Sequence, residues 1–377
     1  MQKILYVNPA KKEISDSTIY STVTAALESI PADNTIPTLI RIAPGHYHEK
    51  ITIDKPFLTL EGEGPSNDET VLTYDDYANF IMEDGFKRGT FRSYSVFIDS
   101  HDITLKNLTI ENASGDSNTH GQAIALYADG DRIILDHCRL LGHQDTLFTA
   151  PLPPKEVEPR GFIGPKQFAP RLSGRHYYKD CYICGDVDFI FGGGTAYFEN
   201  CVIESLSRGD DKEIQGYVTA ASTPEGQEYG YVFAHCKLIS KDCPKESVYL
   251  GRPWREYAKT VFIHCDFGPH IHREGFHDWN KTAARETIFY GEYECVEDVS
   301  KRAPYVKQLS ADMLASYTKI RNLRNFYHII FLRQTFHKIA KIFFYSCIFI
   351  SCISQITFRL HCFHINYKAE PLICYRL

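Results

Sequence analysis

No Gly-x-Ser-x-Gly elbow occurs anywhere in the 377 residues, which sets aside the usual serine-hydrolase machinery. The amino terminus, Met1 to Pro9, lacks the apolar core and small-residue cleavage site of a secretory leader. As written, the chain is expected in the cytoplasm, or outside the cell if a longer precursor was trimmed. Positive charge is also short: 41 Lys and Arg stand against 47 Asp and Glu, for a net charge of −6. A nucleic-acid binder would carry a basic face, so nucleic acid is not expected as a partner. Tryptophan occurs only twice, as Trp254 and Trp279, and each is a candidate to stack on a sugar ring or to fill the core. Twelve cysteines are present, but not at the spacings of a small disulfide-stapled scaffold, so a reduced compartment is favoured.

Helical periodicity is scarce as well. One short amphipathic helix is expected near the start, capped by Asp16 or Ser17, with Ile19, Val23, Leu27 and Ile30 on one face and Pro31 ending it. Beyond it, short alternating runs take over, among them Thr38–Ile42, Lys50–Ile53, Phe57–Leu60 and Tyr94–Ile98. Each is bounded by Gly, Pro, Asn or Asp, as strands and turns require.

These runs repeat. His137-Cys138, Asp180-Cys181, Asn200-Cys201, His235-Cys236 and His264-Cys265 each place a polar residue, a cysteine, a variable residue and then an aliphatic or aromatic one; Leu108 fills the cysteine slot of an earlier copy. Repetition at this scale without intervening helices predicts a solenoid of the parallel β-helix kind, all-β in class. The five cysteines then stack in one interior row as small buried hydrophobes. Metal is not expected, because Cys181 and Cys184 lie three apart on a strand and would face opposite sides, and no second pair completes a zinc site. The cluster His264, His270, His272 and His277 is read as solvated loop histidines.

A break in character comes near residue 320. Residues 320–377 hold no Gly, no Asp and a single acid, Glu370, against eight Lys and Arg. Seventeen uncharged residues, Ile342 to Phe358, reach only the lower limit of a membrane span and are diluted by Ser, Thr and Gln. A membrane partner is therefore not expected. The division is a β-helix domain over 1–319 and an irregular, basic, apolar extension over 320–377 that is not expected to belong to the fold.

Chemistry concentrates in Gly121-Gln122, Gly142-His143-Gln144-Asp145, Asp186-Val187-Asp188-Phe189 and Gly251-Arg252-Pro253-Trp254. Together they offer two carboxylates, two amides, a guanidinium and an indole. Ester hydrolysis needs a nucleophile, donors for a developing oxyanion and an acid for the leaving alcohol. Asp188 can be the nucleophile if Arg252 keeps it ionised. Asp145, facing that charge, would hold its proton and act as the acid. Gln122 and Gln144 supply N–H donors without charge. Singly, either aspartate is equally well a turn residue, and the glutamines an amide ladder; His143 sits beside the site with no required role.

With these motifs, Gly45-His-Tyr-His-Glu49 and Tyr290-Gly-Glu-Tyr293 complete a set that resembles the pectin methylesterases (pectinesterases) over roughly residues 1–318. The resemblance implies a right-handed parallel β-helix that hydrolyses galacturonate methyl esters of pectin or oligogalacturonides, with no cofactor. It also implies that Asp188 is the nucleophile, Asp145 the acid and then base, Gln122 and Gln144 oxyanion donors, and Arg252, Trp254 and Phe189 substrate contacts. A monomer is expected. The 42 residues between Asp145 and Asp188 exceed the plant-type spacing through the stretch Pro151 to Arg175, which resembles bacterial members more closely. After Tyr293, Glu294-Cys-Val-Glu-Asp-Val departs from the family pattern. Two other functions stay open: a glycosidase, since paired carboxylates also cleave glycosidic bonds, and a non-enzymatic carbohydrate-binding β-helix.

Overall fold

The structure, a computed structural model, describes residues 2–10, 18–296 and 298–321. The apolar stretch Ile342 to Phe358 and most of the expected 320–377 extension therefore lie outside the described residues, as do Asp16 and Ser17.

From Ile103 the chain runs through strand Ile103–Lys106, turns into Thr109–Asn112, turns again into Leu126–Asp129, and returns as Ile133–Asp136 beside its starting point. Repeating that circuit builds three sheets of twelve, eight and seven strands whose neighbours pair in parallel, a right-handed parallel β-helix. One corner of each circuit needs a residue in the left-handed region. Asn107, His137, Asp180, Asn200, His235, His264 and Glu294 fill it, with φ between 49° and 55°. Short polar side chains tolerate that backbone better than β-branched ones. The polar residue of the repeated phrase is thus the corner, and the residue after it turns inward. Leu108, Cys138, Cys181, Cys201, Cys236 and Cys265 are each at most 2 % exposed. Cys295 continues the row, its Sγ 3.4 Å from the Cys265 nitrogen, so the departure at Glu294-Cys295 still obeys the corner rule.

A second interior column changes from aliphatic to aromatic along the stack: Leu60, Leu105, Leu135, Tyr178, Phe198, Phe233 and Phe262 are register partners. The last four rings lie nearly parallel, with centroids 4.5, 4.4 and 4.6 Å apart. Phe233→Ala would open a void between two stacked rings, and a loss of about 3–5 kcal/mol is expected in urea unfolding. The next rung is Glu292, fully buried and paired with Arg302 (Nε–Oε1 2.9 Å).

Two expectations need correction. The helix is Val23–Glu28, capped by Thr22, whose Oγ1 accepts from the Ala25 nitrogen. Ile19 sits instead in strand Ile19–Tyr20. The helix starts late because Glu49, from the following coil, accepts from the Val23 and Thr24 nitrogens at 3.0 and 2.9 Å. His270 is not a solvated histidine: it is 2 % exposed with neither ring nitrogen partnered, and burial lowers its pKa to about 4. Among the described residues no helix is long and apolar enough to cross a membrane.

Candidate active site

The seven-stranded sheet carries the site. Leu147 pairs with Ile190, so Asp145 and Asp188, each two residues earlier, occupy adjacent rungs about 4.8 Å apart along the stack. The Asp145 nitrogen donates to the Val187 carbonyl at 3.1 Å, which fixes that alignment. Both aspartates hold left-handed backbone, with φ of 68° and 52°. Such a conformation at non-glycine residues collects where function demands it. Close approach of the two coils depends on Gly185, where a Cβ would come within 2.5 Å of the His143 carbonyl oxygen.

Arg252 grips Asp188 with both arms, Nε to Oδ1 at 2.8 Å and Nη2 to Oδ2 at 2.7 Å. The guanidinium itself is sandwiched between Tyr217 and Trp279, at 3.8 and 3.7 Å from their ring centres. That geometry is bidentate, charge-assisted and stiff.

Burial raises the Asp188 pKa, opposed by Arg252. Asp145 is pushed well above the ordinary carboxylate range, first by burial and then by the charge of Asp188, with Arg252 opposing. Both carboxyls are thus raised, Asp145 further than Asp188, which Arg252 restrains. A third carboxylate, Asp186, lies behind them at 1 % exposure and adds its charge to both shifts. It accepts from Ser117 Oγ at 2.7 Å and from the Val187 nitrogen at 2.6 Å. Its Oδ2 is 3.4 Å from His143 Nδ1, which raises the His143 pKa. Asp186 stands in the sequence motif of Asp188, but the motif alone assigned it no role.

The cleft, about 280 Å³, is lined by Gln122, Gln144, Asp145, Asp188, Arg252 and Trp254 from the expected set, and by Trp279. Phe189 is the exception. It is fully buried in the core and does not reach the cleft. Next to an outward Asp188 it turns into the core. Phe191 takes the aromatic place in the cleft wall, packed against Phe148 at 4.9 Å and Trp254 at 5.7 Å. Phe91 and Phe162 complete that wall, 5.8 Å apart. Phe162 comes from the Pro151 to Arg175 stretch, which therefore forms one rim. Lys281, also absent from the motifs, donates to the Pro253 and Trp254 carbonyls at 2.7 and 3.1 Å and holds that turn. Burial, then Arg255 and Arg252, lower its pKa to about 8.

Comparison with known proteins gives a consistent answer. The family model described as Pectinesterase matches residues 13–152 and 170–329, leaving unmatched only the middle of the rim loop between them. Pectinesterase 31 of Arabidopsis thaliana is 33 % identical over 303 residues, covering 78 % of this chain and 85 % of that protein. A crystal structure of pectin methylesterase in complex with hexasaccharide VII superposes with a TM-score of 0.67 at 30 % identity, over 85 % of this chain and 96 % of that one. Pectin methylesterase PemA from Erwinia chrysanthemi gives 0.65 at 30 % identity, with the same coverage.

Proposed function

Because the chain belongs to the pectinesterase family, we propose that Asp188 and Asp145 divide the work of its reaction, the hydrolysis of pectin methyl esters. The observation that carries this is the two-armed Arg252–Asp188 pair one rung from Asp145, whose buried carboxyl is pushed well above the ordinary carboxylate range. Arg252 orients Asp188 and keeps it anionic, so one of its oxygens attacks the ester carbonyl carbon. Negative charge then gathers on the carbonyl oxygen. The Gln122 and Gln144 amides line the cleft to receive it.

As the intermediate collapses, the C–O bond to the methoxy group breaks and Asp145 delivers its proton to the departing methoxy oxygen, which leaves as methanol. What remains is an anhydride between galacturonate and Asp188. Asp145, now ionised, takes a proton from water, whose oxygen attacks the acyl carbon and releases Asp188. Each turnover consumes one water and yields one carboxylic acid and one methanol. Trp254 and Trp279 offer apolar faces to sugar rings along the cleft.

Likeness to bacterial members is supported by the PemA structure from Erwinia chrysanthemi, of which the chain covers 96 % at 30 % identity. A monomer is the proposed state, supported by a cleft to which one chain contributes both aspartates, both glutamines and Arg252. The deciding assay offers highly methylated pectin and measures methanol and reducing ends in parallel. Methanol in the absence of new reducing ends is expected; the opposite pattern would return the site to glycoside cleavage.

A further inference from the structure

Behind the two catalytic aspartates lies a second acid–base pair that the steps above leave unused. His143 stands two residues before Asp145, and Asp186 two residues before Asp188. The strand register that sets Asp145 beside Asp188 therefore sets His143 beside Asp186 as well. A backbone bond locks this match, the Asp186 nitrogen donating to the His143 carbonyl at 3.1 Å.

The side chains meet in the same register. Asp186 is 1 % exposed, and its carboxylate faces Ser117 Oγ, the Val187 nitrogen and His143 Nδ1. His143 differs in one respect: its side chain is 34 % exposed, so water reaches the ring. Contact with Asp186 raises the His143 pKa against the effect of burial, and the charges of Asp186 and Asp116 add to the rise. On the catalytic side, Asp145 feels Asp188, Arg252 and Asp186, while Asp188 feels Arg252, Lys281 and Asp186. The Cys243 thiol, raised mainly by burial, also faces Asp186. Asp186 thus opposes the ionisation of both catalytic carboxyls, and the one titratable cation in contact with it is His143.

We propose that His143 and Asp186 are positioning residues that widen the working pH range by switching the charge behind Asp145 and Asp188, an inference that rests on the two-aspartate scheme. Below its own titration His143 is a cation, and its charge offsets that of Asp186. Asp188 then ionises at lower pH, so the nucleophile survives further into acid. Above that point His143 is neutral and Asp186 stands uncompensated. Asp145 then keeps its proton to higher pH, so the general acid survives further into base. A permanent charge of either sign would extend one limb of the profile and shorten the other.

The test compares pH–rate profiles of methanol release from methylated pectin for the wild type, His143→Gln and Asp186→Asn. In His143→Gln the Asp186 charge is uncompensated at every pH. The acid limb should move up by roughly half to one pH unit, and the alkaline limb should stay. In Asp186→Asn the opposing charge is gone. The alkaline limb should move down by a similar amount, and the acid limb should not move up. Lys281, whose pKa burial lowers to about 8, is common to all three proteins and drops out of the comparison. By NMR, the His143 ring should titrate between the two limbs in the wild type, and at lower pH in Asp186→Asn. Should the buried Asp186→Asn fold poorly, His143→Gln at the solvent edge decides through the acid limb. A merely structural role would lower the rate at every pH and move neither limb, and that result overturns the proposal. So does a His143 that titrates outside the two limbs. A wild type that releases no methanol, or shows no bell, would strike the two-aspartate scheme and this proposal with it, whereas a bell whose limbs do not move strikes this proposal alone.

Discussion

Asp188→Asn should abolish methanol release from pectin, with kcat reduced on the order of 10⁴-fold or more. Asparagine is the right replacement for two reasons. It keeps the shape of the side chain, and it tolerates the left-handed backbone at φ 52° that alanine would occupy at a cost of roughly 1–2 kcal/mol. The variant can therefore fold, and the loss can be assigned to chemistry. What disappears is the carboxylate that both arms of Arg252 hold in the cleft. Circular dichroism and thermal melting should show a folded protein. A folded Asp188→Asn enzyme with a tenth of the wild-type rate would remove the nucleophile from the scheme.

Asp145→Asn should lower kcat by about 10²–10⁴-fold, the usual contribution of a positioned general acid. It should also reshape the pH profile. Under the proposed scheme the wild-type rate requires Asp188 ionised and Asp145 protonated. Activity is lost as pH falls through the Asp188 pKa and again as pH rises through that of Asp145. Both pKa values are raised by burial, and Asp145 lies higher because the Asp188 charge opposes its ionisation while Arg252 restrains Asp188. A bell-shaped profile is expected. Asparagine at 145 cannot ionise, so the residual rate should lose its alkaline limb and keep the acid one. A residual profile with both limbs in place would mean that another group supplies the proton.

The repeated polar–cysteine phrase made the fold legible, because it marks a physical necessity recurring once per coil. A left-handed corner wants Asn, Asp or His, and the inward slot after it wants a small apolar side chain. The meeting of Gln122, Gln144, Asp145, Asp188 and Arg252 was legible for a related reason: each sits in a short motif, and all line one cleft. Phe189 was misassigned because the motif resemblance carried no side-chain direction; next to an outward Asp188 it turns into the core. Phe91, Phe162, Phe191 and Trp254 form one wall from four distant segments, and no local pattern announces such a meeting. The helix start was missed because its cap is completed by Glu49 from the next coil.

The corner-and-rung geometry also governs how such an enzyme can change. Forty-two residues separate Asp145 from Asp188 in sequence, yet the two are neighbours because each is anchored to a strand of the same sheet. Chemistry here has an address given by coil number. Residues added to a loop between two strands leave that address untouched, whereas a single residue added within a strand would turn its outward set inward. The rim that meets the polymer can therefore be rebuilt or exchanged between relatives while the acid, the nucleophile and its arginine keep their mutual geometry.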